Sequence, residues 1–207
     1  MTTMDPRTHW NAIYTQKHEH EVSWFEALPT VSLRLLEAAG LNDETCVVDV
    51  GGGDSHLIDH LTARGLDCLA VLDVSDAALQ RAKTRLGSKA DVPIWIRADV
   101  AGDWSLKPMD IWHDRAVLHF LIDPADRRRY LDHLLQTLKS GGSAIIATFA
   151  PDGPATCSGL PVTRYSPDSL LETIGTDFKL MESVAYAHQT PWGTSQAFQY
   201  CRFKRVH

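Results

Sequence analysis

Short runs of apolar residues alternate along the chain with segments in which apolar positions recur every three or four residues. Three of the short runs are rich in β-branched residues and lead to a carboxylate: CVVDV to Asp49, LDCLAVLDVS to Asp73 and VPIWIRADV to Asp99. Runs of this kind are typical of strands buried on both faces of a parallel sheet. The alternation extends from residue 46 to about 175 and predicts a parallel sheet covered by helices on both faces.

Helix start and stop signals flank the periodic segments. Ser75 is a predicted N-cap for a helix that ends before Gly87, and Pro124 and Pro167 begin two further helices. The helix that begins at Pro124 is predicted to bury Leu131, Leu134, Leu135 and Leu138. The final segments FKLMESVAYAH and SQAFQYCRFKR are strand-like and joined by QTPWGT, which predicts an antiparallel hairpin.

The 207 residues are 44% hydrophobic and 22% charged, a composition that fits one globular domain. A net charge of −6 argues against a broad phosphate-binding surface, so no nucleic-acid partner is expected. No apolar run reaches transmembrane length, and the first residues are polar and lack an export signal. We therefore expect no membrane partner and a cytoplasmic location.

The four cysteines are isolated from one another and show no C-x-x-C spacing, so neither a zinc site nor a disulfide is expected. Cys46, Cys68 and Cys201 are predicted to be small core residues, and Cys157 to lie in a loop near the site. His18 and His20 lack further ligands nearby, and no metal is expected there.

Three consecutive glycines follow the first predicted strand. Gly51, Gly52 and Gly53 carry no Cβ, so the backbone can approach a ligand closely before Ser55 leads into a helix. Such a turn suits a nucleotide-like cofactor. The fingerprint of dinucleotide-binding turns needs another glycine at position 56, where this chain has His56, and this disfavours NAD.

The ends of the next two strands carry groups that suit an adenosine. Asp73 can accept hydrogen bonds from both hydroxyls of a ribose, which NAD and S-adenosylmethionine share. Asp99 followed by Val100 suits an adenine, whose amino group donates and whose ring packs on an apolar side chain. Because parallel strands present their carboxyl ends at one edge, these groups are expected to meet in one crevice.

These motifs resemble those of the class I S-adenosylmethionine-dependent methyltransferases: VVDVGGGDS, VLDVS, RADV, MDIWHDRAVLHFL and LKSGGSAIIATF occur in the family's order. HWNAIY…EVSWFE and DIWHDRAVLHFLIDPADRRRYLDHLLQTL are similar to the thiopurine methyltransferase-like branch. The resemblance implies an α/β, Rossmann-like three-layer sandwich, with a mostly parallel seven-stranded sheet, a C-terminal antiparallel hairpin and helices on both faces. It implies a single domain over residues 1–207, with 1–28 as a lid over the cofactor and 29–207 as the core.

The resemblance also implies roles for individual residues. Asp114 is expected to face the methionyl part of the cofactor and Arg115 the acceptor, although the pair could equally tie the turn together. The product would be S-adenosyl-L-homocysteine. The residues expected to bind S-adenosylmethionine are Trp24, Asp49, Gly51, Gly52, Gly53, Ser55, Asp73, Val74, Asp99, Val100 and Asp114.

Methyl transfer from a sulfonium is an in-line displacement, which depends mainly on alignment and needs a base only for a strongly protonated nucleophile. His119 is a candidate base, with a hydrogen-bonded core residue as the alternative, and His113 is a weaker candidate. Several loop residues could line an acceptor pocket or serve the core: Phe120, Phe149, Pro151, Leu160, Pro161 and Trp192.

Three functions remain open at this point. The first is a methyltransferase that acts on a small molecule with a soft nucleophile such as a thiol, in which Asp114, Arg115 and His119 would be the catalytic residues. The second is a protein lysine methyltransferase of the same fold. The third is a module that binds S-adenosylmethionine or NAD without catalysis.

Overall fold

The apolar runs form the centre of a seven-stranded sheet in a computed structural model that describes residues 5–207. Its strands are β1 (Val47–Val50), β2 (Leu69–Asp73), β3 (Ile94–Arg97), β4 (Met109–Arg115), β5 (Leu138–Phe149), β8 (Phe178–Gln189) and β9 (Ser195–Arg205). The spatial order is β3-β2-β1-β4-β5-β9-β8. The first five strands are parallel, whereas β9 runs antiparallel to both β5 and β8. A separate two-stranded hairpin consists of β6 (Thr156–Cys157) and β7 (Leu160–Pro161).

Six α-helices accompany the sheet: α1 (Pro6–Gln16), α2 (Thr30–Ala38), α3 (Leu57–Ala63), α4 (Asp76–Leu86), α5 (Pro124–Thr137) and α6 (Pro167–Ile174). The predicted N-cap is present, because the Ser75 side chain accepts from the Ala78 N–H, and the helix that begins at Pro124 is capped by Asp123, which accepts from the Ala125 N–H. These local hydrogen bonds satisfy backbone donors that the helix leaves free. The predicted Rossmann-like sandwich with its C-terminal hairpin is confirmed.

Two apolar clusters occupy the two faces of the sheet. Val48 and Val50 point into the cluster that contains Trp112 and residues of α5 and α6. Val47 points into the opposite cluster, with residues of α2, α3 and α4. Because side chains alternate along a strand, Asp49 must point to the same side as Val47, toward α2. The face to which each strand-end group points is thereby decided.

The buried face of α5 differs from the predicted one. Tyr130, Leu134 and Thr137 are the buried residues of the helix, and Leu138 already begins β5. Leu131 and Leu135 are only partly buried against the same cluster. Tyr130 is a core residue outside the predicted set, and its hydroxyl has two buried hydrogen-bond partners.

The prediction that all four cysteines are unpaired is wrong for two of them. Cys46 and Cys68 form a disulfide, with 4.6 Å between their Cα atoms. The parallel register pairs Val47 with Leu69, so the residues that precede these two lie side by side. Local spacing could not show this, since the cysteines are 22 residues apart and become neighbours only through strand pairing. Cys157 and Cys201 are free and buried.

Within residues 5–207 no helix has both the length and the apolar character needed to cross a membrane. The first four residues of the predicted lid lie outside the described residues.

Loss of the Cys46–Cys68 bridge is expected to lower the free energy of unfolding by ~3 kcal/mol, because the bridge restricts the unfolded chain over a loop of this length. Denaturant unfolding of the wild type and of a Cys46→Ala/Cys68→Ala variant, each with and without a thiol reductant, measures the effect. The reductant should destabilise only the wild type. If the wild type, purified without reductant and then denatured, exposes four reactive thiols, the bridge is absent.

Candidate active site

A cavity of about 240 Å³ opens at the edge of the sheet where the parallel strands end. One side, here called the β2–β3 end, is lined by Leu72, Asp73, Val74, Ala98, Asp99 and Val100. The other side, here called the β5–β9 end, is lined by Arg115, Phe149, Cys157, Leu160, Gln196 and Phe198. The strand order separates these two sets, because β1 and β4 lie between β2 and β5.

The glycine turn passes directly over the carboxylates at the strand ends. A Cβ on Gly52 would meet Asp49, and a Cβ on Gly53 would meet Asp73. Gly51 has a positive φ of +66° and its missing Cβ leaves room for Val117. Larger residues would collide at each of these positions, so the sequence GGG is a requirement of this close packing. Gly51 lines the main cavity, and Gly51, Gly52 and Ser55 line a smaller cavity beside it.

Asp73 and Asp99 lie together in the main cavity, as predicted from their positions at strand ends. Asp73 Oδ1 accepts from the Ser75 N–H at 2.8 Å, and Asp99 Oδ1 accepts from the Ala101 N–H at 2.9 Å. Burial raises the pKa of Asp73 to about 7, although hydrogen bonds from backbone N–H groups oppose the shift. The residues predicted to bind ribose and adenine therefore lie, with Val74 and Val100, on one wall of the main cavity.

Asp49 borders the smaller cavity and is held by a buried hydrogen-bonded chain. Asp49 Oδ1 lies 2.7 Å from His113 Nδ1, and His113 Nε2 lies 2.9 Å from Ser32 Oγ. An ionised Asp49 requires the proton on Nδ1, so Nε2 accepts from the Ser32 hydroxyl. His113 is thus engaged at both nitrogens and is not free to act as a base. Asp49 Oδ2 is buried and has no hydrogen-bond partner in residues 5–207, so an acceptor for a cationic group is left over.

The expected role of Asp114 does not fit its position. Its side chain is fully buried and borders neither cavity described here. Its carboxylate accepts from the Val117 and Leu118 N–H groups and from the Tyr130 hydroxyl at 2.7 Å. The side chain of Asp114 points away from that of His113, because consecutive strand residues face opposite sides. It therefore organises the turn after β4, and its expected contact with the cofactor stays a prediction that this position does not favour.

Arg115 borders both cavities, but its guanidinium is already held by the protein. Its Nε donates to the Tyr200 hydroxyl at 2.9 Å and its Nη1 donates to the Trp24 carbonyl at 2.9 Å. Its Nη2 lies 3.3 Å from Glu26 Oε1, an ion pair. These contacts favour the tying role over the expected grip on an acidic acceptor. They bind the end of β4 to the N-terminal segment and to β9.

His119 is a core residue rather than an accessible base. It is fully buried and packs against the rings of Phe120 and Phe149 at centroid distances of 4.4 and 4.9 Å. It borders neither cavity. Burial, assisted by the charge of Arg115, lowers its pKa to about 3, so the imidazole is neutral and weakly basic. The expectation that it serves as a catalytic base is not supported by this position.

The N-terminal segment forms one wall of the cavity through Trp10, Tyr14 and Trp24. Trp10 packs edge-on against Trp24 at 5.7 Å and against Phe120 at 5.1 Å. Trp10 thus both packs against its neighbours and lines the cavity. Helix α1 is anchored by Asn11, whose Oδ1 accepts a hydrogen bond from the Ser75 hydroxyl at 2.8 Å.

Other residues at this edge were identified only in part from the sequence. Phe120, Phe149 and Leu160 line the main cavity as expected, whereas Pro151, Pro161 and Trp192 do not. Glu26, Tyr14 and Gln196 were missed, since no local motif surrounds them. Over residues 5–207 no group of three or more potential metal ligands is found.

Part of the chain that forms this edge of the sheet is similar to a known family of domains. Residues 48–144 match the model of a methyltransferase domain. The matched segment covers just under half of the 207 residues. It contains the glycine turn, Asp73, Asp99 and Arg115, whereas α1, the hairpin β6–β7 and the β8–β9 pair lie outside it. No curated protein matches the chain in sequence.

Solved structures share the fold at low sequence identity. A protein from work on the conversion of a disulfide bond into a thioacetal group during echinomycin biosynthesis is 20% identical, covers 97% of this chain and 93% of its own, and has a TM-score of 0.77. The 1,6-didemethyltoxoflavin-N1-methyltransferase of Burkholderia thailandensis is 16% identical over 100% and 93% of the chains, with a TM-score of 0.76. The N-methyltransferase NodS of Bradyrhizobium japonicum is 19% identical over 86% and 85%, with a TM-score of 0.68.

The last two structures contain S-adenosylhomocysteine. The domain match together with the shared fold supports the prediction of a methyltransferase that uses S-adenosylmethionine. The positions of Asp73, Asp99 and the glycine turn fit this cofactor, because they leave acceptors for ribose hydroxyls and an adenine amino group along one wall.

Asp73→Asn is expected to affect cofactor affinity, and Asp114→Asn to affect the stability of the fold. Asp73→Asn should weaken binding of S-adenosylmethionine on the order of 10-fold, because a ribose hydroxyl loses its charged acceptor. Asp114→Asn should leave this affinity nearly unchanged but lower the free energy of unfolding by ~1–3 kcal/mol, because its amide cannot accept from all three donors. Calorimetric titration and denaturant unfolding of both variants test this assignment. A loss of cofactor affinity in Asp114→Asn would contradict it.

Cofactor affinity is expected to rise with pH between 6 and 8. The raised pKa of Asp73, about 7, means that this carboxyl is protonated below that pH and then accepts fewer hydrogen bonds from the ribose. The dissociation constant should therefore increase up to about 10-fold for each pH unit below 7. Titrations with S-adenosylhomocysteine, whose sulfur is uncharged, measure this slope, and Asp73→Asn should abolish it.

Proposed function

We propose that this methyltransferase transfers the methyl group of S-adenosylmethionine to a small-molecule acceptor by in-line displacement, with a soft nucleophile such as a thiol favoured. The observation that carries the proposal is the continuous cavity, which joins the carboxylates of the β2–β3 end to the apolar β5–β9 end. Displacement requires the nucleophile, the methyl carbon and the sulfonium sulfur in line, and a cavity with two chemically different ends can hold both reactants in that order.

The β2–β3 end suits the adenosyl group. In this proposal Asp73 accepts from the ribose hydroxyls, Asp99 accepts from the adenine amino group, and Val74 and Val100 pack on the adenosine. The glycine turn and Ser55 border the methionyl part, and Asp49 offers its free oxygen to the ammonium group of that part. Buried carboxylates favour a cationic ligand over a neutral one.

Residues 1–28 are proposed to act as the lid of a single domain that spans residues 1–207. Trp24 and Tyr14 line both cavities, so their rings lie at the junction of the proposed adenosyl and methionyl positions. An aromatic face near the sulfonium would stabilise its charge by ~0.5–2 kcal/mol. The ring of Trp24 is placed by packing against Tyr14 at 6.1 Å and by the contact of its carbonyl with Arg115.

The β5–β9 end supports a nucleophile that needs no protein base. His9 and Asp126 also line the cavity but are not among the six residues that define this end; of those six, the thiol of Cys157 has a pKa that burial raises to about 11, and Arg115 is a cation. Neither can remove a proton from an alkyl ammonium. In the transfer, a lone pair of the acceptor forms a bond to the methyl carbon, the bond to the sulfonium sulfur breaks, and its electron pair stays on sulfur.

The kinship with the thiopurine methyltransferase-like branch belongs to this proposal. It accounts for the tryptophan-containing N-terminal segment and for the lack of a base beside the acceptor. Neighbouring folds include a 1,6-didemethyltoxoflavin-N1-methyltransferase, which agrees with a small-molecule acceptor. A lysine in a folded protein is less favoured, because α1 and the β6–β7 hairpin both border the cavity and neither Cys157 nor Arg115 can serve as a base for its ammonium.

Calorimetry with S-adenosylmethionine, S-adenosylhomocysteine and NADH tests the cofactor, and methyl-labelled S-adenosylmethionine tests transfer to a panel of thiols and amines. We expect saturable 1:1 binding of the first two ligands, none of NADH, and label in the thiol products. Label that enters protein bands of a lysate would contradict a small-molecule acceptor, and cofactor binding without turnover of any acceptor would favour a non-catalytic module. His119→Gln should retain transfer, because His119 lies outside the cavity.

A further inference from the structure

Three side chains of β9 face the β5–β9 end or its floor in a regular row. Gln196, Phe198 and Tyr200 are two residues apart, so they point to the same face of the sheet. Tyr200 holds Arg115 through its hydroxyl, Phe198 lies under the guanidinium with 4.9 Å between Arg115 Cζ and the ring centroid, and Gln196 borders the cavity beyond them.

The charge of Arg115 is compensated inside the protein. Glu26 lies 3.3 Å from Arg115 Nη2 and also 3.2 Å from His188 Nδ1. Burial opposes ionisation of Glu26, but the hydrogen bond from His188 and the charge of Arg115 lower its pKa overall, so it is an anion near neutral pH. Glu26 therefore neutralises the charge of Arg115, and an anionic group on the acceptor would have to compete with Glu26 for Arg115 Nη2, which has no hydrogen-bond partner within residues 5–207.

Gln196 is one of three residues of the cavity lining that carry an unpaired polar atom. Its Oε1, like His9 Nε2 and Arg115 Nη2, is buried and has no hydrogen-bond partner in the described part of the chain. A buried acceptor without a partner costs free energy, so a ligand that supplies a donor is recognised strongly. A primary amide carries one acceptor and two donors, and its matching partner is a group with an N–H beside a C=O.

We propose that the acceptor is a planar ring that carries an amide-like edge, an N–H adjacent to a C=O, and no charged group other than its nucleophile. Gln196 selects this edge by a paired hydrogen bond, and the ring packs among Phe149, Phe198 and Phe120. The inference rests on the proposed methyl transfer, since it concerns the acceptor of that reaction. It makes Gln196 the residue that determines acceptor specificity.

Five aromatic thiols with the same nucleophile separate the possible contacts: thiophenol, the 3- and 4-isomers of mercaptobenzamide, and the 3- and 4-isomers of mercaptobenzoate. Binding of each probe is measured by calorimetry to protein saturated with S-adenosylhomocysteine, and methyl transfer is measured with S-adenosylmethionine. The variants are Gln196→Leu, which removes the amide at similar volume, and Gln189→Leu as a matched control. Gln189 is an exposed glutamine of the same hairpin and borders neither cavity.

We expect one mercaptobenzamide isomer to bind on the order of 10- to 100-fold more tightly than thiophenol or the mercaptobenzoates. Gln196→Leu should abolish this preference and raise KM for the benzamide far more than KM for thiophenol, and the affinity for S-adenosylhomocysteine serves as the control for correct folding. Gln189→Leu should behave like the wild type.

Failure of the proposed function and failure of this inference give different results. If the protein does not bind S-adenosylhomocysteine, the methyltransferase proposal fails and the inference falls with it. If the cofactor product binds but the benzamide has no advantage, or keeps its advantage in Gln196→Leu, only the inference is wrong. A preference for the mercaptobenzoates would show that Arg115 recruits anions and would also overturn it, as would binding of none of the probes to the loaded protein.

Discussion

The buried guanidinium of Arg115 joins three parts of the chain that are far apart in sequence. It links the end of β4 to the N-terminal segment by contacts with the Trp24 carbonyl and Glu26, and to β9 by its contact with Tyr200. The wall formed by Trp24, the floor of the β5–β9 end and the electrical neutrality of that end all depend on this one group. Removing one partner of such a buried ion pair leaves an uncompensated charge, so the arrangement is held as a unit.

Strand alternation explains why neighbouring residues of β4 serve different purposes. His113 points toward α2 and fixes Asp49, whereas Asp114 points to the opposite face and accepts from Tyr130 and the following turn. Arg115 returns to the first face and reaches both cavities. The sequence predicts Asp114 and Arg115 to act as one functional pair, but consecutive residues of a strand point to opposite faces of the sheet. Beside the glycine turn, Asp49 Oδ2 is left without a hydrogen-bond partner within residues 5–207.

The features that local sequence predicted are those with local causes. Ser75, Asp123 and Pro167 mark helix starts through their own backbone contacts, and the strand-end carboxylates follow from apolar runs that end in a turn. Contacts that depend on strand order were out of reach: the 22-residue register between Cys46 and Cys68, and the ion pair of Arg115 with Glu26. Gln196 gave no signal for the same reason, because its position matters only once β9 lies beside β5.

One end of the cavity carries carboxylates and the other is lined by phenylalanines, and this difference suits a reaction in which a cation and an anion neutralise each other. S-adenosylmethionine is a cation at sulfur, and transfer to an anionic nucleophile leaves two neutral products. Carboxylates near one end, Asp49 and Asp73, favour binding of the cation, while the phenylalanine-lined β5–β9 end solvates an anionic nucleophile poorly. A medium that solvates separated charges less well than water favours their neutralisation. The uncharged surroundings of the acceptor therefore assist transfer to a thiolate and would hinder transfer that leaves a new cation behind.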